Sequence, residues 1–118
     1  MEIDVAIPRT IQQLWRDAAI PERYRDSVEG WKRHHQGWEH RLWTDASMRA
    51  FVAEHYPGFL ATYDEYDVAI CRADAARYLI LHRLGGVYVD LDMHCLKPID
   101  GLVEDKGFAI AVEPGCTP

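Results

Sequence analysis

Apolar and polar positions change period several times along this chain, and each change marks a boundary between a strand and a helix. Residues 8–15 predict a first strand ending at Trp15, and residues 21–35 predict a helix with Pro21 at its first position and Tyr24, Ser27, Val28 and Trp31 on one face. Residues 38–43 predict a second strand. Asp45 is expected to cap a helix running to His55 with Met48, Phe51 and Val52 inward, and Pro57 to start a shorter helix ending near Tyr63. A long helix follows over 67–84, with Asp67 as its expected N-cap and Gly85 beyond its end. Its apolar residues, Val68, Ala69, Cys71, Ala75, Ala76, Tyr78, Leu79, Ile80, Leu81 and Leu84, cover most of the circumference, which predicts a largely buried helix. Residues 87–92 predict another strand, and 107–113 one more before a turn at Pro114 and Gly115. Strands alternating with helices indicate an α/β fold with a mainly parallel sheet and right-handed crossovers. Trp31, Trp38 and Trp43 fall at periodic positions and are read as core rather than as a carbohydrate platform.

The chemistry concentrates where the 87–92 strand ends. Residues two apart in a strand face the same way, so Val87, Val89 and Leu91 face one layer while Tyr88, Asp90 and Asp92 face the other. Aspartate is depleted in strands, and two like charges on one face need a cation to offset their repulsion. A divalent metal carrying a phosphorylated ligand suits them, because hard cations take carboxylate oxygens and leave positions open for phosphates. Gly85 and Gly86 suit the exit of a helix, which puts the carboxylates at the carboxyl end of a helix-turn-strand unit, where open α/β sheets bind ligands. Upstream, Asp74 and Arg77 are spaced i,i+3 among Ala73, Ala75, Ala76 and Tyr78. A structural ion pair is one reading of them. Convergence on a cleft for a charged, hydroxyl-rich ligand is the other.

The ordered run over 70–92, Ile-Cys-Arg-Ala-Asp-Ala-Ala-Arg-Tyr-Leu-Ile-Leu-His-Arg-Leu-Gly-Gly-Val-Tyr-Val-Asp-Leu-Asp, resembles the signature of glycosyltransferases with a DXD sugar-binding region, family 32, which includes α-1,6-mannosyltransferases and capsular-polysaccharide enzymes. The resemblance extends to Ile-Pro-Arg-Thr-Ile-Gln-Gln-Leu-Trp at 7–15, Gly-Trp-Glu-His-Arg-Leu-Trp-Thr-Asp at 37–45 and Lys-Pro-Ile-Asp at 97–100. It implies a GT-A fold and transfer of a hexose, with retention at the anomeric carbon, from a GDP- or UDP-linked nucleotide sugar to a glycan or lipid-linked acceptor. It implies a divalent metal, Mn²⁺ or Mg²⁺, held directly by Asp92, with Asp90 reaching the metal through water and touching the donor's ribose or sugar. Asp74 and Arg77 match the pair that holds the transferred sugar, there and in the distantly related glucosylating toxins. Trp15 matches a residue that stacks on the nucleotide base, and Tyr88 joins Trp15, Asp74, Arg77 and Asp90 as a substrate-binding candidate. The catalytic residue stays unknown, because a retaining mechanism need not use a nucleophile. One departure stands out: the family's usual Ile-His-Gln is Ile11-Gln12-Gln13 here.

At 118 residues, 48% of them hydrophobic, the chain supports one domain, expected over 1–118 to be the nucleotide-sugar-binding half of a GT-A domain, incomplete at its C-terminus and so a fragment or truncated product. A net charge of −6, from 13 basic and 19 acidic residues, argues against non-specific nucleic-acid binding. Cys71, Cys95 and Cys116 lack metal-ligand spacing, and Cys71 is read as core; His94 and Cys95 lie two and three residues past Asp92. The start Met-Glu-Ile-Asp-Val lacks a leader pattern and no run reaches membrane-spanning length, which predicts a cytoplasmic protein, peripheral to a membrane at most. Two other functions fit a strand followed by Asp-x-Asp. One is a haloacid dehalogenase-type phosphatase, against which stand the motif's distance from the N-terminus and the short tail after it. The other is a non-catalytic nucleotide-sugar binding module.

Overall fold

A computed structural model describes residues 7–103. The strand and turn expected over 107–115, and Cys116, lie outside the described residues. Three parallel strands form the sheet in the order β2-β1-β3: β1 (Thr10–Leu14), β2 (Glu39–Trp43) and β3 (Val87–Tyr88). β1 pairs with β2 from Thr10↔Glu39 to Leu14↔Trp43, and with β3 at Ile11↔Val87 and Gln12↔Tyr88. Around them run α1 (Glu22–His34), α2 (Asp45–His55), a 3₁₀ turn at Pro57–Phe59, α3 (Leu60–Glu65), α4 (Ala69–Leu84) and the short α5 (Asp100–Val103).

The alternation along β1 and β3 divides the core in two. Ile11 and Val89 pack on Trp31 of α1, joined by the partly buried Val87 and Trp38. Met48, Phe51 and Val52 of α2, Tyr63 of α3, and Ala76 and Ile80 of α4 form the second cluster, with Leu14 and Trp43 against it. Trp31, Trp38 and Trp43 are therefore packing residues, as their spacing predicted, and each indole N–H also finds an acceptor: Met93 O, Asp100 Oδ2 and Gln12 Oε1 respectively.

Several boundaries differ from the sequence reading. The cap of α2 is Thr44, which accepts from the Ser47 backbone N–H while Ser47 Oγ accepts from the Thr44 N–H; Asp45 is the first helical residue. A reciprocal box satisfies two otherwise unpaired donors, which a single aspartate cannot. α4 begins one residue later than expected, after Val68 rather than Asp67, and has no side-chain cap. It is also far less buried than its composition implied. Only Ala76 and Ile80 are fully covered, whereas Ile70 and Tyr78 are 66% and 65% exposed and Cys71 is exposed rather than core. Among the described residues one stripe of α4 meets α2 and α3, and an apolar residue off that stripe has nothing to pack on. The exit of α4 follows expectation: Gly85 and Gly86 take φ of +72° and +97°. A Cβ on Gly86 would lie 2.7 Å from Thr10 O, so β3 can approach β1 only through glycine.

Candidate functional site

β3 is shorter than the predicted 87–92 strand. Its ladder ends as Val89 N–H donates to Gln12 O at 3.1 Å, and the chain then closes a turn with Met93 N–H donating to Asp90 O at 3.1 Å. Repulsion between two carboxylates favours this outcome, because a turn lets both side chains reach water instead of extending a ladder. The two faces remain as predicted. Val89 and Leu91 are buried at 4% and 5% exposure, while Asp90 and Asp92 stand exposed on either side of Leu91.

Four of the predicted substrate residues meet in one chain of contacts. Asp74 and Arg77 of α4 approach to 3.5 Å, the carboxylate half-exposed and the guanidinium mostly covered. Arg77 lies over the Tyr88 ring at 4.9 Å and over Tyr78 at 5.1 Å. Tyr88 Oη–H donates to Asp90 Oδ1 at 2.6 Å. Burial, and then the hydrogen bond to Asp90, push the Tyr88 phenol up to about 12, so it stays a donor at neutral pH. Burial opposes the charge on Arg77, but contacts with Tyr88 and Tyr78 and the field of Asp74 outweigh it, leaving the guanidinium above its usual value. α4 thus presents a fixed cation beside a carboxylate that a tyrosine orients.

Trp15 stands apart from these four. It follows β1 directly, its N–H donating to Trp43 O at 2.8 Å, with its ring edge-on to Tyr24 at 5.5 Å and Arg16 over it at 5.1 Å. Parallel pairing puts the ends of β1 and β3 at the same edge of the sheet, so Trp15 and the carboxylate turn share the carboxyl edge. Sequence reasoning missed Arg16 and Tyr78, which sit next to named residues, and the anchoring of Met93 described below. Neighbours in sequence do not face each other on a helix, so adjacency gave no signal for Tyr78.

Asp90 and Asp92 offer hard oxygen donors, and neither has a cationic partner among the described residues. No group of three or more His, Cys, Asp and Glu converges there among the described residues, and His94 is exposed and joins none. The donor set therefore suits a Mg²⁺- or Mn²⁺-like ion that takes few protein ligands and completes its shell with phosphate and water oxygens. Cys95 does not compete: its thiol, raised by burial, donates to Lys97 O. A cavity of about 270 Å³ lined by Asp45, Arg49, Tyr63, Asp64 and Arg72 shares no residue with this constellation. It is walled by the paired Arg49 and Asp64, at 2.8 Å. The candidate site is instead an open edge of the sheet.

Residues 21–109 match the family described as glycosyltransferase sugar-binding region containing DXD motif. The chain is 44% identical over 112 residues to inositol phosphoceramide mannosyltransferase 1 of Schizosaccharomyces pombe, covering 92% of this chain and 35% of that protein. It is 45% identical over 109 residues to inositol phosphoceramide mannosyltransferase 3 of the same species, covering 92% and 31%. With the mannosyl phosphorylinositol ceramide synthase SUR1 of Saccharomyces cerevisiae it shares 38% over 108 residues, covering 92% and 28%. The chain thus spans about a third of the length of the curated relatives it matches. No solved structure matches. No described helix is long and apolar enough to cross a membrane. The parallel sheet between helices fits a GT-A fold, and the matched family speaks for a glycosyltransferase rather than a dehalogenase-type phosphatase. The chain belongs to the family of glycosyltransferase sugar-binding regions that contain a DXD motif.

Proposed function

We propose that this chain is the donor-binding part of a metal-dependent, retaining glycosyltransferase that moves a hexose, mannose as in the names of its relatives, from a nucleotide sugar to a lipid-linked acceptor. The observation that carries this reading is the continuous contact from Asp74 through Arg77 and Tyr88 to Asp90, beside Asp92 and at the same sheet edge as Trp15. A nucleotide sugar presents a flat base, a diphosphate and a ring of hydroxyls. Trp15 offers an aromatic face for the base. Asp74 offers an acceptor for sugar hydroxyls and Arg77 a donor fixed by two rings.

With a net charge of −6 the chain repels a diphosphate unless a cation intervenes. Asp90 and Asp92 would hold that cation, Mn²⁺ or Mg²⁺, which would neutralise the departing diphosphate. The names of the relatives, which place mannose on inositol phosphoceramide, favour a ceramide-linked inositol phosphate over a soluble glycan as acceptor.

Product analysis tests the reading. The chain is incubated with Mn²⁺ and GDP- or UDP-mannose, with and without a phosphoinositol lipid. Mannosyl-lipid, or slow release of free mannose with retained configuration, is expected. Binding without turnover would leave a non-catalytic module, and release of phosphate from simple esters would sink the assignment.

A further inference from the structure

We propose that α1 is the positioning element of the carboxylate turn, gripping it from the far face of the sheet through Ser27 and Trp31. The inference rests on the metal and donor reading above. The Met93 carbonyl, next in the chain to Asp92, accepts two hydrogen bonds from α1: Ser27 Oγ–H and Trp31 Nε1–H, the latter at 2.7 Å. Both donors are buried, Ser27 fully and Trp31 at 5% exposure. The Met93 N–H already donates to Asp90 O. Met93 is therefore fixed at both backbone groups, and Asp92 lies within the closed turn.

A second grip lies one helical turn further along. The Ile99 N–H donates to His35 Nε2 at 3.0 Å, which requires the tautomer whose Nδ1–H donates to Trp31 O at 2.9 Å. His35 is buried between Trp31 and Trp38. The segment 93–99 is thus held at its two ends by α1 and its C-cap residue His35.

The arrangement does more than fill a core. A carbonyl bound twice by buried donors cannot rotate without leaving two donors unsatisfied. The turn therefore holds in place the backbone from which both carboxylates project. A fixed backbone narrows where two carboxylates can meet a cation with few protein ligands, and groups behind a metal site typically govern its affinity by 10–100-fold.

The test uses Trp31→Phe, which keeps an aromatic side chain of smaller volume and loses the N–H, and Ser27→Ala, which removes the other donor with little change of volume, with Asp92→Asn as reference. Mn²⁺ affinity is read by electron paramagnetic resonance, and amide hydrogen exchange is followed by mass spectrometry. Each α1 variant should weaken Mn²⁺ about tenfold and speed exchange over 89–96, while residues 10–14 of β1 stay protected. Should Trp31→Phe fail to fold, Ser27→Ala decides alone. Unchanged Mn²⁺ affinity, or exchange that rises equally everywhere, would overturn the proposal. A wild-type chain that takes up no Mn²⁺ would sink the metal reading instead, and the local exchange pattern would then decide the anchoring by itself.

Discussion

The Tyr88 phenol donates to Asp90 Oδ1 at 2.6 Å while its ring carries the Arg77 guanidinium at 4.9 Å, so one side chain joins the cationic and the anionic halves of the site. Tyr88→Phe keeps the ring under Arg77 and removes only the bond to Asp90. Nucleotide-sugar affinity is expected to fall by roughly 1.5 kcal/mol, about tenfold, with Tm nearly unchanged. Calorimetry on the variant measures it, and an unaltered affinity would detach Tyr88 from the site. Folding raises the phenol from 10.0 to about 12, so its contribution to stability is complete below pH 10 and is lost as pH climbs through about 12. Burial raises the Tyr63 phenol as well, so ultraviolet titration should show more than one late-titrating tyrosine, of which Tyr88→Phe removes the one near 12.

Donor binding is expected to need a divalent cation, and Asp92→Asn to remove the benefit of adding one. The loss in nucleotide-diphosphate affinity with Mn²⁺ should reach at least about tenfold, or ~1.4 kcal/mol. Calorimetry with Mn²⁺ and with EDTA compares the two proteins. Equal affinity in all four conditions would remove the metal from the reading.

Asp74→Asn should separate sugar recognition from stability. Its carboxylate is 54% exposed, so the ion pair contributes less than about 1 kcal/mol to folding, and Arg77 keeps both tyrosine rings when it is lost. If Asp74 grips the sugar, the nucleotide sugar should weaken by roughly 1.5–3 kcal/mol while the bare nucleotide diphosphate changes little. A steep fall in Tm with both ligands weakened alike would make the pair structural.

Gly86→Ala tests the seam between β1 and β3. The new Cβ would meet Thr10 O at 2.7 Å with φ at +97°, and backbone strain of this kind costs about 1–3 kcal/mol before the clash is counted. A Tm lower by several degrees is expected, measured by calorimetry or circular dichroism. A variant as stable as the parent would mean that the strands do not approach this closely.

His40 should give the fold an acid-sensitive margin. Burial holds its pKa below the ordinary 6.5, Lys32 adds to this and Glu29 opposes it, while Nε2–H donates to Gln13 Oε1 at 2.7 Å. The unfolded chain therefore takes up the proton first as pH falls. The stability concerned is whole above about pH 6.5 and shrinks below it. Tm measured from pH 7.5 to 5.5 should fall more steeply for the wild type than for His40→Gln, and parallel curves would show that His40 contributes nothing.

Much of this was legible because period and punctuation agreed. The i,i+2 alternation put Val89 and Leu91 inside and Asp90 and Asp92 outside, and the glycine pair marked the end of α4. The ordered motif over 70–92 named the residues that the fold then brought together. What could not be read was long-range. Whether Tyr78 or Ile80 is covered depends on where α2 and α3 lie, and the sequence reading counted both among the apolar residues of a largely buried helix. Ser27 and Trp31 showed a helical face but not that their polar atoms meet a carbonyl more than 60 residues away, since |i−j| is 66 and 62. The Thr44–Ser47 box lacks the acidic or amide residue that usually advertises it.

Position 12, where the family resemblance led one to expect histidine, carries a carboxamide that donates to Gly85 O at 3.0 Å and accepts from Trp43 Nε1–H at 2.8 Å, tying the central strand β1 to the exit of α4 and to the end of β2. A neutral imidazole has one donor and one acceptor too, but once protonated it could no longer receive the indole proton. An amide has no such second state. The knot at the centre of the sheet is therefore indifferent to acidity, and whatever acid does to this protein must begin at its flanks.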